Sequence, residues 1–207
     1  GCGKGGYGPL LLSWSRGHIE SYVGLDRRPH TAWSALAARD PRLHFIDANA
    51  SELQRVIPEG TNFIMSQSAI EHVDDDLGLF EQIRDHVQQL GQPALQVHLC
   101  PSAACLKLYL LHGVRQYTPR TLSKITRLFE DSRSVLYRLG GHACNQLHYR
   151  FITAPLLIWG NEDFRVTRAP EYERLVVEAI EQDMARPQPS PAFYALMIHS
   201  RPRRSLF

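Results

Sequence analysis

The chain has 207 residues, of which 43% are hydrophobic and 21% charged, a composition typical of a folded protein with one domain. Its formal net charge of +2 is too small to favour nucleic acid or an acidic membrane surface as a partner. The longest apolar runs are shorter than a membrane span, and the four cysteines lack the spacing of a zinc site and the density of a disulfide scaffold. We therefore expect one cytoplasmic domain over residues 1–207, with reduced thiols and without a metal site.

The chain opens on a glycine-rich loop, residues 1–8, that runs directly into Leu10, Leu11 and Leu12. Glycines at this density let the backbone approach a ligand and adopt dihedral angles that a Cβ would forbid. A loop of this kind normally follows a buried strand. Because no residue precedes Gly1 in the sequence, we expect the first strand of the sheet to be missing.

After the loop, helix and strand patterns alternate along the first half of the chain. Strands are predicted over residues 21–25, 43–46, 62–65 and 94–99, and helices over residues 10–16, 31–39, 52–56 and 77–90. The last of these helices has the clearest apolar period, formed by Leu77, Phe80, Ile83, Val87 and Leu90. This alternation predicts an α/β fold with a mostly parallel sheet.

The second half is less regular. Thr118 and Pro119 predict the start of a helix, and residues 134–139 predict a strand. Residues 147–159 are apolar and fit a helix or a strand equally well. An amphipathic helix is predicted over residues 170–184 and a final strand over residues 192–199.

Two acids follow successive predicted strands. Asp26 comes about twenty residues after the glycine loop, where a carboxylate accepts hydrogen bonds from the ribose hydroxyls of an adenosine cofactor. Asp47 follows the next strand, where a carboxylate can accept a hydrogen bond from an adenine amine. The glycine spacing alone fits both the dinucleotide fingerprint, through Gly1, Gly3 and Gly6, and the GxGxG loop of S-adenosylmethionine binders.

The segment 62–76 combines a hydrophobic strand, small polar residues, the sequence Ile70-Glu71-His72-Val73 and an acidic helix start. With the glycine loop, Asp26 and Asp47 in the same order, it resembles class I S-adenosylmethionine-dependent methyltransferases over about the first hundred residues. The resemblance implies a doubly wound, Rossmann-like sheet with an antiparallel last strand. Residues 1–100 would form the cofactor-binding half. Residues 101–207 would form the substrate-side half, with a helical insert near 140–191 serving as lid or dimer surface.

The resemblance also implies roles for individual residues. The cofactor would lie along the glycine loop, with its ribose at the first acid, its adenine at the second, and its methyl group beside the start of segment 66–72. The residues expected to contact it are Gly1, Cys2, Gly3, Gly5, Asp26, Arg27, Asp47, Ala48, Ser66 and Gln67.

The acceptor is expected to be a small molecule, a glycan or a lipid precursor, methylated on oxygen. A hydroxyl acceptor must lose its proton, and His72 is the candidate base because a histidine is poised for proton transfer near neutral pH. The residues expected to contact the acceptor follow the fourth predicted strand or end it: His98, Tyr109, His112, Arg115 and Tyr117.

Two other interpretations remain open from the sequence. Arg27 and Arg28, directly after Asp26, could meet a 2′-phosphate, which favours a nicotinamide-dependent oxidoreductase. No Tyr-x-x-x-Lys pair supports that activity. Alternatively, the chain is a non-catalytic module that docks a partner through the helix predicted at 170–184.

Overall fold

Six strands form the centre of the fold in the computed structural model, which describes residues 1–108, 113–160, 163–185 and 190–201. The strands are β1 Tyr22–Asp26, β2 Leu43–Asp47, β3 Phe63–Gln67, β4 Ala94–Pro101, β5 Ser132–Leu139 and β6 Phe193–Ser200. The helices are α1 Tyr7–Trp14, α2 Ala32–Arg39, α3 Leu53–Val56, α4 Asp76–Leu90, α5 Pro119–Thr126, α6 His142–His148, α7 Ala154–Trp159, α8 Phe164–Thr167 and α9 Ala169–Met184. Short 3₁₀ turns occupy Ala50–Glu52, Ile70–His72 and Ala103–Leu108. Helix α1 begins inside the glycine-rich stretch, three residues earlier than expected.

The strands pair in a mixed arrangement. β1 is parallel to β2, β3 is parallel to β4, and β6 is antiparallel to both β4 and β5, giving the order β3-β4-β6-β5. The predicted α/β fold, mostly parallel with an antiparallel last strand, is confirmed. Within the described ranges, β1 and β3 each pair with a strand on one side only. Leu25 of β1 nevertheless packs against the main core, so the two groups of strands share one interior.

Helix α4 contributes much of the main core because its apolar residues recur on one face. Phe80, Ile83 and Val87 are buried against β4 and β6, and full burial of such side chains contributes about 1.5–3 kcal/mol each. The Asp75 carboxylate accepts a hydrogen bond from Gly78 N–H at 2.9 Å and caps the first turn. Gly91 ends the helix in the left-handed conformation, with φ of 66°.

The segment that the sequence left open, residues 147–159, is helical. Helix α6 continues through a π-helical turn at Tyr149–Thr153 into α7. Pro155 has no N–H to donate to Phe151 O, and its ring crowds that carbonyl, which accounts for the widened turn. Phe151 is fully buried in a second, smaller core, together with Leu147 of α6 and Ala179 of α9.

A buried carboxylate joins α9 to α6. Asp183, near the end of α9, accepts hydrogen bonds from Ala143 N–H at 3.0 Å and Cys144 N–H at 2.9 Å. These amides belong to the first turn of α6, where N–H groups lack partners within the helix. Burial alone would raise the pKa of Asp183, but the two N–H donors outweigh it and hold the pKa below its usual value.

Replacement of Asp183 by alanine should lower the free energy of unfolding by about 1–3 kcal/mol at pH 7, because two buried N–H groups lose their acceptor. A carboxylate with a lowered pKa stabilises the fold above its unfolded-state pKa, and this contribution is lost as pH falls through the folded-state value. The difference between wild type and Asp183→Ala in urea unfolding should therefore shrink in acid. Glu181→Ala, which removes an exposed carboxylate from the same helix, is the control. A pH-independent difference would contradict the argument.

Candidate functional site

The glycine loop folds onto the carboxylate at the end of β1. Gly3 N–H donates to Asp26 Oδ2 at 2.8 Å, and Arg28 N–H donates to Asp26 Oδ1 at 3.2 Å. Partial burial opposes ionisation of Asp26, but these backbone donors prevail and lower its pKa. Asp26 is therefore a fixed carboxylate at neutral pH, half-buried and held against the loop.

An aromatic stack supports the loop from beneath. Trp33 of α2 donates its indole N–H to Gly3 O at 2.8 Å, and its ring stacks on Phe45 with centroids 5.4 Å apart. Phe45 lies so close to Gly5 that a Cβ on Gly5 would stand 2.5 Å from the ring atom Cε1. Trp33 was not predicted as a site residue, because its position in a predicted helix does not indicate which backbone carbonyl its indole N–H binds.

Three strand ends meet at this loop. Cys2 N–H donates to Leu25 O at 2.8 Å, which holds the start of the chain beside β1. Ala48 N–H donates to Asp26 O at 3.0 Å, which joins the end of β2 to the end of β1. A Cβ on Gly1 would lie 2.8 Å from the Cβ of Ala69, which follows β3. The structure thus brings the predicted glycines, Asp26 and Ala48 together at one edge.

The second acid lies at the same edge because β1 and β2 pair in register. Asp26 stands opposite Asp47, and the Asp47 side chain is exposed, as is that of Arg27. Cys2 is half-buried, and burial raises the pKa of its thiol to about 11, so it remains neutral. The edge therefore offers two carboxylates of different exposure and an exposed glycine, Gly3, with no described atom beyond its chain neighbours and its own residue within 4 Å of its Cβ position.

Two of the predicted residues form a buried polar pair. Ser66 Oγ lies 2.8 Å from His98 Nδ1, and His98 Nε2 lies 3.3 Å from Gln96 Oε1. The His98 ring, 1% exposed, packs edge-on against Phe80 at 4.8 Å. Burial lowers the pKa of His98 to about 3, so the imidazole is neutral. His98 therefore packs in the core and does not reach the surface. Gln67, the residue after Ser66, is half-buried.

Tyr117 also faces the protein interior, and Arg115, two residues before it, is half-buried. Arg115 binds the Asp76 carboxylate and Asp74 O, and Tyr117 OH donates to Asp76 Oδ2 at 2.9 Å. Tyr117 is 1% exposed, and burial together with the Asp76 carboxylate raises its pKa. These two side chains anchor their segment to the start of α4, a contact that the sequence did not reveal. Tyr109 and His112 lie outside the described residues.

The Glu71-His72 pair separates into two environments. Glu71 is 1% exposed, whereas the side chain of His72 is exposed. The backbone N–H of His72 donates to Ala69 O at 3.0 Å. His72 therefore lies at the carboxyl edge of β3, three residues after the alanine that touches the glycine loop. An exposed imidazole at this edge can exchange a proton with a bound hydroxyl.

Two negative findings concern the described ranges only. No group of three or more His, Cys, Asp or Glu side chains there is arranged to hold a metal ion. No helix in those ranges is long and apolar enough to cross a membrane.

Comparisons with known proteins place the fold. No protein-family model and no curated protein sequence matches the chain. Among solved structures, a SAM-dependent methyltransferase from Archaeoglobus fulgidus is 18% identical with a TM-score of 0.56, over 97% of this chain and 83% of that one. The plantazolicin methyltransferase BamL, crystallised with a triazolic desmethylPZN analog and SAH, is 14% identical with a TM-score of 0.56, over 98% and 75% of the two chains. The (4+2)-cyclase SpnF is 12% identical with a TM-score of 0.54, over 98% and 72%.

These similarities show that the chain has the class I methyltransferase fold, Rossmann-like and mixed in strand direction, as the sequence predicted. At such low identity they show the fold alone. One of the three neighbours is a cyclase by name, so the same fold supports different chemistry.

The glycine loop gives a direct test of the geometry. Gly5→Ala should lower the free energy of unfolding by about 2–4 kcal/mol, because the new Cβ meets Phe45 and the residue keeps a φ of 80°. Gly6→Ala is the matched control, because no described atom beyond its chain neighbours lies within 4 Å of a Cβ there. Its change should stay within about 0.5 kcal/mol in urea unfolding. Equal effects of the two substitutions would contradict the described loop.

Proposed function

We propose that the protein is an S-adenosylmethionine-dependent methyltransferase. The observation that carries the proposal is the Gly3 N–H bond to Asp26, formed where β1 and β2 end side by side. It fixes a bare glycine backbone, a half-buried carboxylate and an exposed carboxylate along one edge. The names of the structural neighbours add support, since two of the three are methyltransferases and one was crystallised with SAH.

The residues present fit such a cofactor. Gly3 has positive φ and open space at its Cβ position among the described atoms, so its backbone can lie against the methionine end. Asp26 would accept hydrogen bonds from the ribose hydroxyls, and Asp47 would accept one from the adenine amine. When bound, the cofactor supplies a methyl group already activated by its sulfonium, so the protein mainly positions the acceptor and excludes water.

The acceptor in this proposal is a small molecule, a glycan or a lipid precursor, methylated on oxygen. His72 would take the hydroxyl proton, because it is the predicted base and lies exposed at the carboxyl edge of β3. Of the predicted acceptor contacts, His98, Arg115 and Tyr117 are committed to interior partners. The acceptor would therefore meet His72 and the strand edge before it meets those side chains.

A nicotinamide-dependent oxidoreductase is the second candidate, favoured by one observation. Arg27 and Arg28 are both exposed directly after Asp26, where a 2′-phosphate would lie. The cofactor test below separates the two activities.

Isothermal titration calorimetry should show binding of S-adenosylmethionine and S-adenosylhomocysteine but not of NADP. Asp26→Asn keeps an oxygen for Gly3 N–H but loses the charge, so affinity for S-adenosylhomocysteine should fall roughly tenfold or more. Asp40→Asn, which alters a carboxylate near the opposite ends of the strands, is the control. Binding of NADP alone would replace the proposal with the oxidoreductase, and binding of none of the three would favour a docking module.

The role of His72 can be tested without knowing the acceptor. A metabolite extract is incubated with the protein and S-adenosylmethionine labelled in its methyl group, and new labelled products are followed by mass spectrometry. His72→Ala should reduce label transfer about 100-fold or more while affinity for S-adenosylhomocysteine stays within about twofold. His44→Ala, which removes an exposed histidine from β2, should leave both unchanged. Unchanged transfer in His72→Ala would remove the residue from the mechanism.

A further inference from the structure

Residues 113–117 form a strap that lies across the 3₁₀ turn Ile70–His72 and the start of α4. Val114 N–H donates to Glu71 O at 2.8 Å, and Tyr117 OH donates to Asp76 Oδ2 at 2.9 Å. At its far end, Tyr117 N–H donates to Pro101 O at 3.1 Å. The strap is thus fastened by polar contacts and bridges the carboxyl ends of β3 and β4.

A single unsatisfied carboxyl lies beneath the strap. Glu71 is 1% exposed, and within the described part of the chain neither of its side-chain oxygens has a hydrogen-bond partner. Gly113 lies against it: a Cβ there would stand 3.1 Å from Glu71 Cγ and 2.9 Å from Glu71 O. Buried polar groups without partners are rare in folded proteins, so this one calls for an explanation.

Within the described part of the chain, no positively charged side chain forms an ion pair with Glu71. The Cys100 thiol of β4 is buried, and burial raises its pKa, so it is neutral. The Tyr117 hydroxyl donates its hydrogen bond to Asp76. Arg115 is ion-paired with Asp76 and bonds Asp74 O. Among the described residues, His72 is a further titratable neighbour; it follows Glu71 in the chain and is exposed.

We infer that the strap is a pH-sensitive closure, held shut by protonated Glu71 and released when Glu71 ionises. A neutral carboxyl without partners is tolerated under the strap, whereas a buried, uncompensated carboxylate is far more costly. Ionisation therefore favours the state in which the strap lifts and water reaches the carboxylate. The closure stands over the ends of β3 and β4, beside the exposed His72, and controls access to this edge whatever reaction occurs there.

The direction of the pH dependence follows from linkage. Burial raises the pKa of Glu71 in the closed state above the value that it has once exposed. The contribution of Glu71 to closure is then complete below the exposed-state pKa and is lost as pH rises through the closed-state value. Opening should become up to about tenfold more frequent for each pH unit within that window.

Hydrogen exchange of the Val114 and Tyr117 amides measures the closure directly, without any ligand. From pH 5 to pH 8, after correction for intrinsic exchange, protection of these amides in wild type should fall at least tenfold. Protection of the Leu122 amide, bonded to Thr118 O in α5, should stay constant. In Glu71→Gln, which cannot ionise, protection of the strap should be high at both pH values. Constant protection in wild type, or an equal fall in Glu71→Gln, would overturn the inference.

Two further variants keep the test decisive. Glu81→Gln removes an exposed carboxylate from α4 and should behave as wild type. Gly113→Ala places a Cβ against Glu71 at a φ of 73°, so strap protection should be low at both pH values. Wild-type protection in Gly113→Ala would show that Gly113 does not lie against Glu71. Because no cofactor is present, these outcomes are independent of the proposed methyl transfer.

Discussion

The register between β1 and β2 is the constraint on which the candidate site depends. Because Asp26 pairs with Asp47, both acids leave the sheet at the same edge. A shift by one residue would turn the side chains of one strand to the opposite face and separate the two carboxylates. The Ala48 N–H bond to Asp26 O fixes the register at the point where it matters. The glycine loop is then held against that edge by the bonds of Gly3 N–H to Asp26 and of Cys2 N–H to Leu25 O, and by the Trp33 indole bound to Gly3 O.

Buried carboxyls organise the molecule in two different ways. Asp183 and Asp76 are both largely buried, but each receives donors, from the amides of α6 and from Arg115 and Tyr117. Satisfied in this way, they join separate segments rigidly. Glu71 lies close to the same network, but no other described residue donates a hydrogen bond to its carboxyl, and burial outweighs the approach of its own backbone N–H and raises its pKa. The contrast explains why two of these acids act as fixed joints and the third is free to act as a switch.

Sequence patterns predicted those parts of the fold that depend on local period and spacing. Helix α4 was expected over 77–90 and runs over Asp76–Leu90, because its apolar period is unambiguous. Residues 147–159 could not be assigned, since this mainly apolar stretch has no clear period and Pro155 disfavours the interior of a helix and of a strand alike. The contact of Gly3 with Asp26 could be anticipated from the sequence, whereas the contact of Arg115 with Asp76 could not. Glycine and acid at that spacing form a known pattern, whereas Arg115 and Asp76 lie 39 residues apart without one.

The face that each strand buries was the main obstacle to predicting the site. On β4, His98 was predicted to contact the acceptor. The structure buries Gln96 and His98 more deeply than their neighbours Leu95, Val97 and Leu99, because the polar face of this strand is the more enclosed of the two. Ser66 and Gln96 each lie within hydrogen-bonding distance of His98, so the polar groups largely satisfy one another inside the core. Sequence reasoning treats each polar residue singly and cannot see such mutual satisfaction.

The division between the two halves has a consequence for function. The edge formed by Gly3, Asp26 and Asp47 is built from backbone amides and carboxylates, which suit an adenosine cofactor and say little about the reaction. Chemistry must come from the groups that face it, and there the structure leaves His72 exposed, whereas Tyr117 is buried and Arg115 is ion-paired with Asp76. A fold shared by methyltransferases and a cyclase is consistent with this arrangement. In the proposed function this edge can stay constant, while the segment after β4, with the strap over Glu71, determines which molecules reach it.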